Sequence, residues 1–224
     1  MKKYTLDGKP VNMDFKHMSV VATGKTGVVY KYKDVALKLF NSEQVPSVDL
    51  ETTKILTGIQ TDRILLPRKI LYCDEKFRGY TYRLISKKGT GKKIIMLSKD
   101  ELVGNILLLE NDIEQLSKAK VLLDGIDPTN CIFNGDLYIS DPRQYSILDI
   151  FSTEELAKLN KYQLHLLLTQ IMVSEIQSCS GITNAAERDF KKIMEMKDDE
   201  QDSSDYCARI MGKVDSVKEF VKTL

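Results

Sequence analysis

One change of hydrophobic period divides this chain and limits what it can fold into. Up to residue 85, apolar residues recur in short β-branched and aromatic runs. Past residues 86–93, SKKGTGKK, they recur about every 3.6 residues. The early runs are HMSVVATG, TGVVYKY and KDVALKLF, then ILLPRKILYC and FRGYTYRLI, with a helical stretch, VPSVDLETTKILTGI, between the third and fourth. Charged turns, Lys33-Asp34 and Asp74-Glu75-Lys76, separate neighbouring runs, which predicts antiparallel hairpins. After the break, ELVGNILLLENDIEQLSKAK and STEELAKLNKYQLHLLLTQIMVSEI read as helices, and CIFNGDLYISD reads as a hairpin turning at Asn134-Gly135. A further helix, CARIMGKVDSVKEFVKTL, follows the acidic stretch KDDEQDSSD. The expected class is α+β, with a β-rich N-terminal lobe at 1–85 and a mainly helical C-terminal lobe at 86–224.

Composition removes several function classes. The 224 residues carry 33 Lys+Arg against 32 Asp+Glu, a net charge of +1, so no global field favours nucleic acid or an anionic membrane. Cysteines at 73, 131, 179 and 207 form no C-x-x-C pair, which argues against a zinc ribbon and for a reducing, cytoplasmic compartment. The basic start lacks an apolar core of signal-peptide length, and Leu164 to Val173 is too short to span a bilayer. Neither point excludes export without a cleaved signal. The histidines, His17 and His165, have no metal-ligating residue at ligand spacing, and Lys87, Lys88, Lys92 and Lys93 read as a solvated loop.

Gly24-Lys25-Thr26 invites a phosphate-loop reading. That motif requires a glycine where Ser19 stands and a helix where GVVYKYKDVALKLF follows, so the reading fails on both counts. Read as a hairpin, the same residues, Ala22-Thr23-Gly24-Lys25-Thr26-Gly27-Val28-Val29, match G-x-G-x-x-G-x-V except at the first position. The next run contains Val35-Ala36-Leu37-Lys38, and a lysine on so apolar a strand is either an edge residue reaching water or a functional cation. Farther on, Asp124-Gly125-Ile126-Asp127-Pro128-Thr129-Asn130 precedes the second hairpin, and Asp141-Pro142-Arg143 follows it.

Together these segments resemble the protein-kinase superfamily over residues 20 to 175, in the manner of a compact, divergent bacterial or phage-like member. The resemblance implies a two-lobed kinase-like fold binding ATP with Mg2+ or Mn2+ in the cleft. It implies that Gly24 and Gly27 cover the phosphates, Val29 closes over the base, Lys38 orients the phosphates with Glu51 as its partner, and Asn130 and Asp141 hold the metal. Departures bear on activity. Gly125 occupies the position of the catalytic aspartate, leaving Asp124 one residue early and Asp127 two residues late as candidate bases. Pro142 and Arg143 replace the usual Phe and Gly, and the segment that normally seats a peptide shrinks to about ten residues. The expected activity is phosphoryl transfer from ATP to a protein hydroxyl. A pseudokinase acting on a partner protein and a small-molecule kinase are the alternatives.

Overall fold

In the computed structural model the described residues are 2–41, 49–85, 94–124, 126, 128–140 and 144–177. The expected lobe boundary at 86–93 and the two C-terminal segments, KDDEQDSSD and CARIMGKVDSVKEFVKTL, lie outside them.

The N-terminal lobe is one antiparallel sheet of β1 (Tyr4–Leu6), β2 (Lys9–Val11), β3 (Val20–Thr23), β4 (Gly27–Tyr32), β5 (Val35–Phe40), β7 (Lys69–Cys73) and β8 (Lys76–Arg83), with α1 (Leu50–Thr57) inserted after β5 and β6 (Ile64–Leu65) outside the sheet. Its strands lie in the order β2-β1-β7-β8-β5-β4-β3. The hairpin turns fall where the sequence is charged. Lys33 takes φ 55°, and Asp74 and Glu75 take 49° and 67°, the left-handed conformations that tight hairpin turns require. A hairpin absent from the sequence reading, β1–β2, turns at Asp7-Gly8, again with both residues left-handed. By its composition ILLPRKILYC reads as one strand. Pro67, which has no N–H to give a ladder, splits it into β6 and β7, which belong to different sheets.

The C-terminal part is built on α2 (Lys99–Lys118) and α3 (Thr153–Gln177), with β9 (Val121–Asp124), β10 (Cys131–Phe133), β11 (Leu137–Ser140) and β12 (Gln144–Ile147) between them. Helix α2 starts at Ser98, whose hydroxyl accepts from Glu101 N–H while the Glu101 carboxylate accepts from Ser98 N–H. Such a reciprocal cap satisfies two donors that the first turn would otherwise leave open. Leu102, Ile106, Leu109, Ile113 and Leu116 then recur at helical spacing and are fully buried, facing Leu164, Leu167 and Leu168 of α3 and Val121 and Leu123 of β9 in one core. Burying each such side chain stabilises the fold by about 1.5–3 kcal/mol.

Two ladders join distant parts of the chain. β6 pairs parallel with β11, Ile64 opposite Ile139, so a segment from before the long helices is stitched to the second hairpin. β9 pairs antiparallel with β12, which makes Asp124, a candidate base, the last residue of a strand.

Candidate active site

Lys38 lies mid-sheet. Its strand β5 is flanked by β4 and β8, which place Val29 and Tyr80 directly opposite it. The residue is only 2% exposed, so the edge-strand reading of this lysine is excluded. Its Nζ stands 5.9 Å and 6.0 Å from the ring centroids of Phe40 and Tyr80, at the outer reach of cation–π attraction. Phe40 is two residues along the same strand and therefore on the same face, and Tyr80 is the cross-strand neighbour. Local sheet geometry thus puts both rings beside the cation.

That face continues into the rest of the molecule. Ala36, Phe40, Tyr80 and Tyr82 form a buried cluster with Tyr138 of β11, against which Val29 and Ile132 of β10 pack. The strand bearing Lys38 and the hairpin that follows Asn130 therefore meet in one aromatic layer. Asn130 ends a short 3-10 turn, Pro128–Asn130, and is buried. Its carbonyl accepts from the Ser140 hydroxyl at 2.9 Å, which holds the two ends of the hairpin side by side. Asp141 is the next residue in the chain, and it lies outside the described residues, as do Gly125 and Asp127. Asp124 is half-buried at the end of β9, opposite Gln144.

One expected pair is not made. Glu51 is 77% exposed and its carboxylate takes a hydrogen bond from Lys54 Nζ at 2.7 Å, not from Lys38. The reason is the phase of α1. Thr52, Thr53 and Leu56 form its buried face, so the carboxylate one residue before Thr52 points outward. Asp49 caps the helix start: its carboxylate accepts from Thr52 N–H at 2.8 Å and from the Thr52 hydroxyl at 2.7 Å. These bonds hold the Asp49 carboxyl below its ordinary pKa.

The two loop glycines have different reasons to be glycine. A Cβ on Gly27 would meet the Leu39 carbonyl oxygen of the adjacent strand, whereas one on Gly24 would meet nothing nearer than the Gly27 oxygen at 3.8 Å. Gly27 is thus demanded by the sheet, and Gly24 is not demanded by anything in the chain itself. β4 follows directly, which is the structural ground for rejecting a phosphate-loop helix here.

Sequence reasoning missed the polar groups that fix this frame. Asp112 of α2 is 4% exposed, and its carboxylate accepts from three successive backbone N–H groups, those of Asp62, Arg63 and Ile64, at 2.6–3.1 Å. Asn160 of α3 is fully buried. It accepts from Leu123 N–H at 2.7 Å and donates to the Val121 carbonyl and the Ser117 hydroxyl, tying α2 and α3 to the strand that ends at Asp124. The available signal was a carboxylate or amide on the apolar stripe of an amphipathic helix, since such a group needs dedicated partners.

A cleft of about 650 Å³ opens beside the end of α1 and the face of α2; Arg68, Arg83 and Asp112 line it, and none of the described candidate residues does. Among the described residues no three His, Cys, Asp or Glu side chains gather as a metal-binding group. Nor is any described helix long and apolar enough to cross a membrane.

No protein-family model matches the chain, and no curated protein matches it. Among solved structures, the chain is similar to the kinase domain of PknI from Mycobacterium tuberculosis, with a TM-score of 0.46 and 12% sequence identity over 68% of this chain and 70% of that one. The described residues form an α+β fold: an antiparallel sheet with a central buried lysine and one inserted helix precedes a long helix, a polar turn ending in Asn130, and a hairpin packed back against the lysine strand.

Proposed function

We propose that this protein binds Mg-ATP between its two lobes, 1–85 and 86–224, and transfers the γ-phosphoryl group to a protein hydroxyl. The observation that carries the reading is Lys38. A fully buried ammonium on a central strand is expensive to desolvate and is retained where a charge is needed. When bound, the nucleotide and its metal supply the phosphoryl group and the neutralising charge. In this reading Lys38 orients the phosphates, the Gly24–Gly27 loop covers them, and Val29 lies over the base. Asn130 and Asp141 hold the metal, and Asp127 or Asp124 accepts the hydroxyl proton. Glu51 takes no part in this conformation, because its carboxylate is engaged by Lys54.

A second reading is a regulatory binding module without turnover. It is favoured by Gly125, which stands where the resemblance calls for the catalytic aspartate and offers no carboxylate to take the hydroxyl proton.

Thermal unfolding with and without Mg-ATP separates the two. Ligand at 100 times its dissociation constant stabilises by about 2.7 kcal/mol. Phosphoryl transfer predicts a metal-dependent upward shift that is lost in Lys38→Met and Asp141→Asn, followed by labelled-phosphate transfer to protein. No shift with any nucleotide and metal would leave the binding-module reading, and transfer only to small metabolites would make the protein a small-molecule kinase.

A further inference from the structure

We infer that Asn41 is a positioning residue that pre-forms the phosphate-facing surface of the Gly24–Gly27 loop. This inference rests on the nucleotide-binding reading above. Asn41 follows the last residue of β5, and it holds three consecutive carbonyls of the loop. Its Nδ2 donates to the Gly24 and Lys25 oxygens, each at 3.1 Å, and its backbone N–H donates to the Thr26 oxygen at 3.1 Å. Gly24 N–H donates in turn to the Gly27 oxygen at 2.9 Å, closing the four-residue turn.

The consequence follows from peptide planarity. In a trans peptide the C=O and the next residue's N–H point in opposite directions, and among the described residues no peptide is cis. Drawing the oxygens of residues 24, 25 and 26 toward Asn41 therefore turns the N–H groups of Lys25, Thr26 and Gly27 to the far side of their peptide planes. Successive amides presented together form an anion-binding surface. A loop held in that state does not lose its conformational freedom when phosphate arrives, so the hold appears as phosphate affinity. It also accounts for the placement of an exposed Asn with both amide hydrogens committed to carbonyls.

The test compares two probes, Mg-ATP and adenosine, on the full chain by calorimetry. Adenosine reports the base pocket without phosphates. Asn41→Asp keeps the shape but faces two carbonyls with a carboxylate, and Asn41→Ala removes the donors without adding charge. Two neutral hydrogen bonds lost from a surface loop correspond to about a tenfold weaker Mg-ATP dissociation constant. The expected result is that weakening in both variants, unchanged adenosine affinity, and partial recovery in Asn41→Gln, whose amide can still reach. Equal weakening of both probes, or no change in either, would overturn the inference while leaving nucleotide binding intact. Absence of any nucleotide binding by the native chain would instead overturn the functional reading, and the inference with it.

Discussion

Truncating Asp112 tests whether one carboxylate of α2 holds the segment that enters β6. Three backbone donors, the N–H groups of Asp62, Arg63 and Ile64, converge on it, the shortest contacts being 2.6 Å and 2.7 Å. Hydrogen bonds to a charged group are worth about 1.5–3 kcal/mol each, but the carboxylate also carries a desolvation cost, so the net is well below the sum. Asp112→Ala removes the acceptor and strands donors in a segment whose Ile64 is fully buried. The expected loss is about 3–5 kcal/mol, close to the cost of breaking other buried polar networks. Asp112→Asn keeps one oxygen and is expected to lose about 2 kcal/mol. Urea unfolding is the assay. With a slope of about 2 kcal/mol/M, the Ala variant's midpoint falls by about 2 M at unchanged slope. Asn111→Ala, one residue away and exposed, serves as control and should move by less than about 0.5 kcal/mol. An Ala variant within about 1 kcal/mol of the native chain would refute the argument that this carboxylate holds the segment.

Two further outcomes follow from the geometry. Gly27→Ala and Gly79→Ala each push a Cβ into a carbonyl oxygen of β5, that of Leu39 and that of Lys38, and both should abolish cooperative unfolding or lower the midpoint steeply; Gly24→Ala should leave it unchanged. His17 Nδ1 lies 2.7 Å from Asp14, and that hydrogen bond raises the His17 pKa and lowers that of Asp14. The pair therefore contributes between the ordinary carboxylate and imidazole values; its contribution is lost as pH falls through the Asp14 pKa or rises through that of His17. NMR titration should find His17 above its ordinary value in the native chain and back at that value in Asp14→Asn.

The readable parts of this fold were those with a local cause. Lys33-Asp34, Asp74-Glu75 and Asn134-Gly135 announce turns as charged or Asn-Gly pairs between β-branched and aromatic runs, and each is a turn in the structure, with Lys33 and Glu75 held in left-handed backbone that their residue types seldom adopt. Helices α2 and α3 announced themselves by period. The short strands β9 and β12 did not, nor did the separation of β6 from β7, since two to four residues carry no period and their pairing partners are distant in sequence. The Asp7-Gly8 turn carries the same kind of local signal. Within the site, Lys38 was legible because a cation on an apolar strand needs an explanation. The failure of Glu51 to meet it was not legible, because helix phase is set by which residues a helix buries, and Thr52 and Thr53 do not look like core residues. The clamps at Asp112 and Asn160 depend on backbone donors brought from other segments, which no local pattern encodes.

The position of β1 sets a schedule for synthesis. Leu6 finds its partner in Leu71, sixty-five residues later, and the β1–β2 hairpin joins the sheet only through β7. At ribosomal rates of about 5–20 residues per second, the first hairpin waits roughly 3–13 s before its partner strand exists. Through that interval β3, β4 and β5 can pair among themselves, while β1 presents an open edge. The lysine strand is thus assembled early and sealed late, and a pause in translation between α1 and β7 would prolong a stage at which β1 and β5, central in the finished sheet, are open to a strand from another chain.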